Sequence, residues 1–127
     1  MSAPPRPKLP ASIKKAESAL VTFGLSLPDS VEEWPWGHRA FKVRKKSFTF
    51  LVCEPTSLKL SAKLRESHAE AMHLPFTEAT GYNLGKAGWV SASFEAGEEI
   101  PVGLLTQWMA ESYRLIAPKT LSATVET

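Results

Sequence analysis

Hydrophobic and polar positions alternate most clearly in the stretch Trp34–Val52, WPWGHRAFKVRKKSFTFLV. Its apolar positions are Phe41 and Val43 before the basic run Arg44–Lys46, and Phe48, Phe50 and Val52 after it. A period of two residues is typical of strands, so the stretch is predicted to be a β-hairpin with these side chains on one face. An isolated hairpin is only marginally stable in water, so the rest of the chain must cover that face.

Helical periodicity predicts one helix before the hairpin and another near the end of the chain. In the first helix Ser12 is the predicted N-cap, Gly24 and Pro28 end the helix, and the apolar face is Ile13, Ala16, Ala19, Leu20 and Phe23. In the last helix Pro101 fits the first position, Pro118 ends the helix, and the buried stripe is Val102, Leu105, Trp108, Met109 and Ile116.

Shorter elements are predicted between these helices. Ser30–Trp36, Ser57–Leu60 and Trp89–Phe94 are predicted strands, and Pro35 favours an edge position for the first because it lacks an N–H. Ser61 is the predicted N-cap of a peripheral helix over Ala62–Ala71, and Phe76–Gly88 is predicted to be irregular. In the last strand, Val90, Ala92 and Phe94 are expected on the buried face.

This succession predicts an α+β domain of two layers, an antiparallel sheet with helices packed on one face. The expected order is roughly α-βββ-α-ββ-α. Residues 1–10 are predicted to be a flexible lead-in, residues 11–120 a single domain, and residues 121–127 a frayed tail.

Composition narrows the class of protein. The chain has 127 residues, 43% of them hydrophobic, and no apolar run approaches the roughly 20 residues that span a membrane. The proline-rich N-terminus has no apolar core of a secretory signal. The single cysteine, Cys53, ends an apolar strand pattern and is predicted to be an inert packing residue. We therefore expect a cytoplasmic protein without a disulfide or a membrane partner.

The net charge of +2 hides a strong asymmetry along the chain. Residues 39–65 contain eight basic side chains and one acid, a net charge of +7, whereas residues 66–127 contain three basic side chains and eight acids, a net charge of −5. A basic two-stranded ribbon can enter a DNA groove and neutralise phosphates. The alternative is that the basic run is a solvated turn that prevents pairing between sheets.

Other candidate motifs fail on spacing. The segment GYNLGKA at residues 81–87 has glycines one residue too close for a phosphate-binding loop and has Ala87 at the magnesium-binding position. His68 and His73 are five residues apart and form no metal motif, and Ser112 has no nucleophile elbow. Glu98 and Glu99 are typical of a solvated turn. No cofactor, metal or catalytic residue is predicted, so we expect a protein that is not an enzyme.

Several blocks together resemble the MmcQ/YjbR family between about Ala16 and Lys119. They are PWGHRAFKV, SLKL, YNLGKAGWV and ESYRLIAPK, in this order. The resemblance implies a CyaY-like fold and a "double wing" DNA-binding role. Relatives commonly carry glycine at the hairpin turn, where this chain has Arg44-Lys45-Lys46. Because a type I′ turn needs positive φ at both central residues, the sequence favours a longer loop here.

The leading hypothesis is therefore nucleic-acid binding, with DNA as the partner of a monomer or weak homodimer. The candidate ligand-binding residues are Trp36 and Trp89 for stacking, Lys42, Arg44, Lys45, Lys46, Lys59 and Lys86 for phosphate contact, and His38. The alternative hypothesis is a protein-interaction or small-ligand domain with a cleft near His38, Lys59 and Trp89 and no role with nucleic acid.

Overall fold

The computed structural model describes residues 8–35, 38–81 and 84–123, and it is an α+β domain of two layers. The helices are α1 (Ala11–Ser26), α2 (His68–Ala71), α3 (Val102–Ile116) and α4 (Lys119–Ser122). The strands are β1 (Ser30–Glu33), β2 (Arg39–Val43), β3 (Lys46–Glu54), β4 (Ser57–Lys63), β5 (Thr77–Ala79) and β6 (Trp89–Glu95). They form one antiparallel sheet in the order β1-β2-β3-β4-β6-β5, with α1 and α3 packed together over its core face. The predicted fold class is confirmed, and four strands precede α2.

Helix α1 extends past the glycine that was expected to end it. Gly24 lies inside the helix, and the Phe41 ring packs so close to its backbone that a Cβ there would lie 2.9 Å from Phe41 Cε1. The helix begins after Pro10, so the predicted N-cap Ser12 was wrong. Ile13, Ala16 and Leu20 are buried as predicted, whereas Ala19 is exposed.

A β-bulge in β3 changes the predicted faces of the hairpin. Phe41 pairs with Thr49 and Lys42 pairs with Ser47, so Phe48 is an extra residue in β3. The two residues of a bulge that oppose one partner point to the same side, and Phe48 and Thr49 are both fully buried. Phe50 and Val52 lie on the opposite face of the sheet, so the prediction that they share the face of Phe48 was wrong.

The hydroxyl group of Ser112 on α3 joins β3 to β4 beside the bulge. The Lys63 N–H donates to Ser112 Oγ at 2.9 Å, and the Ser112 hydroxyl donates to the Phe48 carbonyl at 2.5 Å. The next residue, Tyr113, packs edge-on against the Phe48 ring at 5.3 Å and donates to the Pro28 carbonyl at 2.6 Å. Helix α3 is therefore tied to β3, to β4 and to the loop after α1.

The predicted helix over Ala62–Ala71 is mostly strand and loop. Ala62 pairs with both Thr49 and Val90, so β4 continues to Lys63 as a central strand. The side chain of the expected N-cap, Ser61, instead shares a 2.7 Å hydrogen bond with Ser91 across the sheet. Pairing on both sides outweighed local helix propensity, and α2 is a single turn.

Three further regions agree with or depart from the predicted structure. The alternation in β6 is confirmed, since Val90, Ala92 and Phe94 join the core. The segment predicted as irregular contains β5 and a 3₁₀ turn, Leu84–Ala87. Leu121, predicted to lie in a frayed tail, belongs to α4 and packs on the core, whereas residues 1–7 and 124–127 lie outside the described residues. Among the helices of the described residues, none has the length and apolar character needed to cross a membrane.

Replacing Ser112 with alanine is expected to lower the free energy of unfolding by about 2–4 kcal/mol. The change leaves the Lys63 N–H and the Phe48 carbonyl without a partner, and each buried unsatisfied group costs about 1–3 kcal/mol. Urea unfolding measures the change. The control is Thr106→Ala, which removes a hydroxyl bonded only to the Gly103 carbonyl of its own helix and should change stability by less than about 0.5 kcal/mol. Equal midpoints for the two variants would contradict the bridging role.

Candidate functional site

The hairpin tip is a two-residue turn and not the longer loop that was expected. Val43 pairs with Lys46, and the two residues between them, Arg44 and Lys45, have φ angles of +50° and +71°. Positive φ at both central positions is the geometry of a type I′ turn, which matches the twist of the flanking strands. The turn therefore carries two bulky cations in a conformation that costs about 1–2 kcal/mol for each non-glycine residue.

Two of the hairpin cations are held by carboxylates. Both Nε and Nη2 of Arg44 donate to Asp29 Oδ2, at 3.0 and 2.8 Å, and Lys42 Nζ lies 3.2 Å from Glu33 Oε1. Arg44 and Asp29 are more than half exposed, so their pair contributes about 0–1 kcal/mol. These contacts lower the positive charge that the hairpin presents, because Asp29 and Glu33 neutralise part of the basic block.

A third basic residue of this block, Arg39, is buried and also neutralised. Its Nη1 lies 2.9 Å from Glu17 Oε2 on α1, and its Nε lies 2.8 Å from Glu32 Oε2 on β1. Its guanidinium stacks 4.5 Å above the Trp34 ring. Arg39 therefore fastens α1 to the sheet and contributes no charge to a binding surface.

Of the two tryptophans predicted to stack on a ligand, Trp89 is buried in the described part of the structure. Trp89 is only 6% exposed, because its ring reaches across β4 and packs against Phe50 with centroids 5.3 Å apart. Trp36 lies outside the described residues. The proposed stacking role of Trp89 is therefore incompatible with its position in this structure.

The residues of the alternative cleft are not brought together. Lys59 is opposite Ser93, whereas Trp89 is opposite Lys63, four residues further along β4 and about 13 Å away. His38 is exposed and precedes β2, two strands from β4. Lys59 is exposed, with its Nζ 4.0 Å from Glu78 Oε1. A single cleft lined by His38, Lys59 and Trp89 is not formed.

Basic residues do converge at one end of the sheet. The β2–β3 turn, the end of β4 and the start of β6 all lie there, because Thr49 pairs with Ala62 and Lys63 pairs with Trp89. We call this group the basic end; its members are Lys45, Lys46, Lys63, Arg65 and Lys86. Within residues 8–35, 38–81 and 84–123, none of the five forms an ion pair with a carboxylate.

Part of the basic end surrounds a cleft of about 450 Å³. Its lining includes three of the five cations, a histidine of α2, a glycine of the 3₁₀ turn and the glycine that follows the turn, namely Lys63, Arg65, Lys86, His68, Gly85 and Gly88. The Leu64 N–H donates to the Gly88 carbonyl at 3.0 Å, which joins the end of β4 to the start of β6. A cleft of this volume is in the range that accommodates small ligands.

The loop that carries Arg65 is held by a buried carboxylate, Glu111 of α3. Burial disfavours its charged form, but hydrogen bonds from the Ser67 hydroxyl and from the N–H groups of Arg65 and Ser67, with the charge of Arg114, outweigh burial and lower the pKa of Glu111. The contacts from the Arg65 N–H and the Ser67 hydroxyl are both 2.7 Å long. Glu111 thus positions the Arg65 backbone on one side of the cleft.

Sequence reasoning did not select Lys63, Arg65 or His68 as site residues. Lys63 and Arg65 were counted in the basic block, but the predicted helix over Ala62–Ala71 dispersed them around a helical surface. The signal that could have found them is the block itself, which extends beyond the hairpin to Arg65. The pairing of β4 with β6, which places Lys63 and Arg65 near Lys86, joins residues about 25 positions apart.

Residues 25–115 match the family model described as YjbR. The chain belongs to the YjbR family. No curated protein matches it. The match begins and ends inside the range over which the blocks PWGHRAFKV to ESYRLIAPK resemble the family, and it covers more than half of this YjbR chain.

The described residues that carry the family resemblance have clear structural roles in this YjbR domain. Phe41 packs on Gly24, Trp89 packs on Phe50, and Ser112 and Tyr113 tie α3 to the sheet and to Pro28. Other residues of the same blocks are exposed, among them His38, Lys59 and Lys86, and of these three Lys86 lines the cleft. Much of the resemblance therefore reflects the fold, and these exposed positions belong to the surface.

Glycine at position 45 is expected to stabilise the YjbR domain. Lys45→Gly removes a side chain from a left-handed conformation and should raise the free energy of unfolding by about 1 kcal/mol. Lys46→Gly is the matched control, since it removes the same charge from a strand position and should lower the free energy of unfolding by about 0.5–1 kcal/mol. Urea unfolding of both variants decides, and a Lys45→Gly variant no more stable than Lys46→Gly would contradict the type I′ geometry.

Glu111→Gln is expected to destabilise the domain near pH 7 and to have little effect in acid. A carboxylate whose folded pKa is lowered stabilises the fold above its unfolded value of 4.5, and this stabilisation is lost as the pH falls through the folded pKa. Urea unfolding from pH 3 to pH 7 should show a difference of about 2 kcal/mol that shrinks below pH 4.5. The exposed Glu99→Gln is the control and should show no such trend. A difference that is constant with pH would be inconsistent with charged Glu111.

Proposed function

We propose that this YjbR domain binds nucleic acid, DNA in the first place, through the basic end of its sheet, as a non-enzymatic cytoplasmic protein. The observation that carries the proposal is the convergence of Lys45, Lys46, Lys63, Arg65 and Lys86 from three segments, with no carboxylate partner among the described residues. Unpaired cations that share one surface create a local positive potential that attracts a polyanion.

The width of the basic end suits a nucleic-acid backbone. Neighbouring strands are about 4.8 Å apart, so the ends of β3, β4 and β6 span about 10 Å. Over that length a DNA duplex carries about six phosphate charges. The type I′ turn projects Lys45 beyond the strands, and the 3₁₀ turn carries Lys86 on the other side of β4.

Contacts from this surface go to phosphates more than to bases. Four of the five cations are lysines, which act as point charges without the fixed geometry that reads a base edge. The hairpin contains no asparagine or glutamine to bind adenine through two hydrogen bonds. We therefore expect weak sequence preference and strong dependence on salt.

The proposed interface leaves out three of the lysine and arginine residues that the sequence predicted to contact phosphate. Lys42 forms an ion pair with Glu33, and Arg44 forms one with Asp29. Lys59 lies near Glu78 of β5, and it is four residues before Lys63 in β4. The face of the sheet opposite the helices thus mixes both signs of charge. A small-ligand site at His38, Lys59 and Trp89 is not favoured, because Trp89 is buried and distant from Lys59.

The test is fluorescence anisotropy with a labelled 16-base-pair duplex and with its labelled single strand. Five phosphate contacts would give a slope of about −4.5 for the logarithm of duplex affinity against that of salt concentration, a loss of about 500-fold between 50 and 200 mM salt. The double variant Lys45→Glu, Lys46→Glu should weaken binding at least tenfold and reduce the slope by about 2.

The matched control is Lys14→Glu, Lys15→Glu, which makes the same change of charge at two exposed positions of α1. It should keep affinity and slope close to those of the unaltered chain. Absence of binding to either probe at tens of micromolar protein, or equal weakening by both double variants, would refute the proposed interface.

A further inference from the structure

We propose that the cleft at the basic end binds a terminal phosphate group, a phosphomonoester at the end of a nucleic-acid strand or on a mononucleotide. This inference rests on the proposed nucleic-acid interface, because the cleft belongs to the basic end. Contacts between the hairpin tip and the nucleic-acid backbone do not distinguish the end of a nucleic-acid strand from its interior, whereas this cleft would.

The charges around the cleft fit a dianion. Lys63, Arg65 and Lys86 line it from two segments, and the ring of His68 on α2 adds a further nitrogen donor or acceptor. A phosphomonoester carries a charge of about −1.5 to −2 near neutral pH, whereas each internal phosphodiester carries −1. Three cations around one small volume repel one another. A phosphomonoester offsets more of this repulsion than a phosphodiester does, so it should bind more tightly.

Nearby carboxylates do not neutralise these cations. Glu111 uses its oxygens to accept from the Arg65 N–H, the Ser67 N–H and the Ser67 hydroxyl. Glu66 and Glu70 are exposed, and neither forms an ion pair with a cation in the described part of the chain. The arginine fork and the lysine ammonium groups therefore keep their donors available for phosphate oxygens.

Three segments of the chain line the cleft. They are the residues at and after the end of β4, the residues at and after the 3₁₀ turn, and Leu115 of α3, and the Leu64–Gly88 hydrogen bond joins the first two segments. Gly88 has a φ of +97°, and a Cβ there would lie 2.7 Å from the Leu64 oxygen, so only glycine allows this close approach. The preference for a strand end therefore rests on charge, because a terminal phosphate carries more negative charge than an internal one.

The experiment compares two otherwise identical labelled single strands of 12 nucleotides, one with a 5′-phosphate and one with a 5′-hydroxyl. At 50 mM salt the phosphorylated strand should bind about tenfold more tightly, the factor expected of one added charge-assisted contact. The double variant Arg65→Gln, Lys86→Gln should abolish this preference. The matched variant Lys45→Gln, Lys46→Gln removes the same charge and should weaken both strands equally while keeping the preference.

Two results would overturn the inference while leaving the proposed function in place. One is measurable but equal binding of the two strands by the unaltered chain, together with no amide shifts on addition of adenosine monophosphate. The other is a preference that survives in Arg65→Gln, Lys86→Gln, which would place the terminal phosphate elsewhere. Circular dichroism of both double variants should match that of the unaltered chain, since all four positions are exposed.

A titration with a mononucleotide distinguishes a free nucleotide from a strand end as the source of the phosphate group. It also tests the cleft independently of the proposed binding of nucleic acid. In an NMR titration with adenosine monophosphate, amide shifts confined to Arg65 and to residues 85–88, and absent with adenosine, support the phosphate site even if neither strand binds. In that case the proposed binding of nucleic-acid strands would be refuted, and the phosphate site in the cleft would be supported. Absence of shifts with adenosine monophosphate, together with equal binding of the two strands, would refute the cleft and leave binding through the hairpin tip.

Discussion

The hydrogen bonds of Ser112 are the contact on which the rest of this domain depends. Its hydroxyl joins the Phe48 carbonyl to the Lys63 N–H, at the position that follows the last β3–β4 pair, Thr49–Ala62, and beside the bulge between β2 and β3. The bulge turns Phe48 into the core, where it meets Tyr113, and it leaves Lys63 at the point where β4 ends. One buried hydroxyl group thus positions the core, the hairpin and one wall of the cleft together. A hydrophobic residue of similar size could fill the space but could not satisfy the two backbone groups.

Much of the fold could be predicted from the sequence, because regular alternation and helix periodicity survive in β6, α1 and α3. What could not be predicted depends on contacts between distant residues. The bulge at Phe48 interrupts a clean two-residue period, and only the partner strand reveals it. Ala62 and Lys63 favour a helix by local composition, but β3 and β6 pair with them as strand. Trp89 looks like a surface aromatic in the alternating pattern, yet Phe50 covers it from two strands away. The same holds for the proposed interface: the sequence singled out Lys45, Lys46 and Lys86, whereas it assigned Lys63 and Arg65 to a helix that the structure does not form.

Charge along the chain and charge on the surface are different quantities here. The balanced first 38 residues supply Glu17, Asp29, Glu32 and Glu33, which all bind basic residues of the hairpin. The basic block of residues 39–65 therefore loses its first three cations to neighbouring elements and keeps those near its end. The acids of residues 66–127 compensate less, since Glu78 lies 4.0 Å from Lys59 but Glu111 is bonded to backbone N–H groups. The surface that remains positive is smaller than the sequence block, and it lies where strands end.

The hydrogen bond between Leu64 and Gly88 also has a consequence for the order in which the domain assembles. Strands β1 to β4 follow one another as neighbours, so each pairing closes only a short loop. The pairing of β4 with β6 must close a longer segment that contains α2, β5 and the 3₁₀ turn, and longer closures are slower. The hairpin tip can therefore form early, while the cleft exists only after β6 has docked. Anion binding in the cleft would accordingly report completed folding, in a way that binding at the hairpin tip would not.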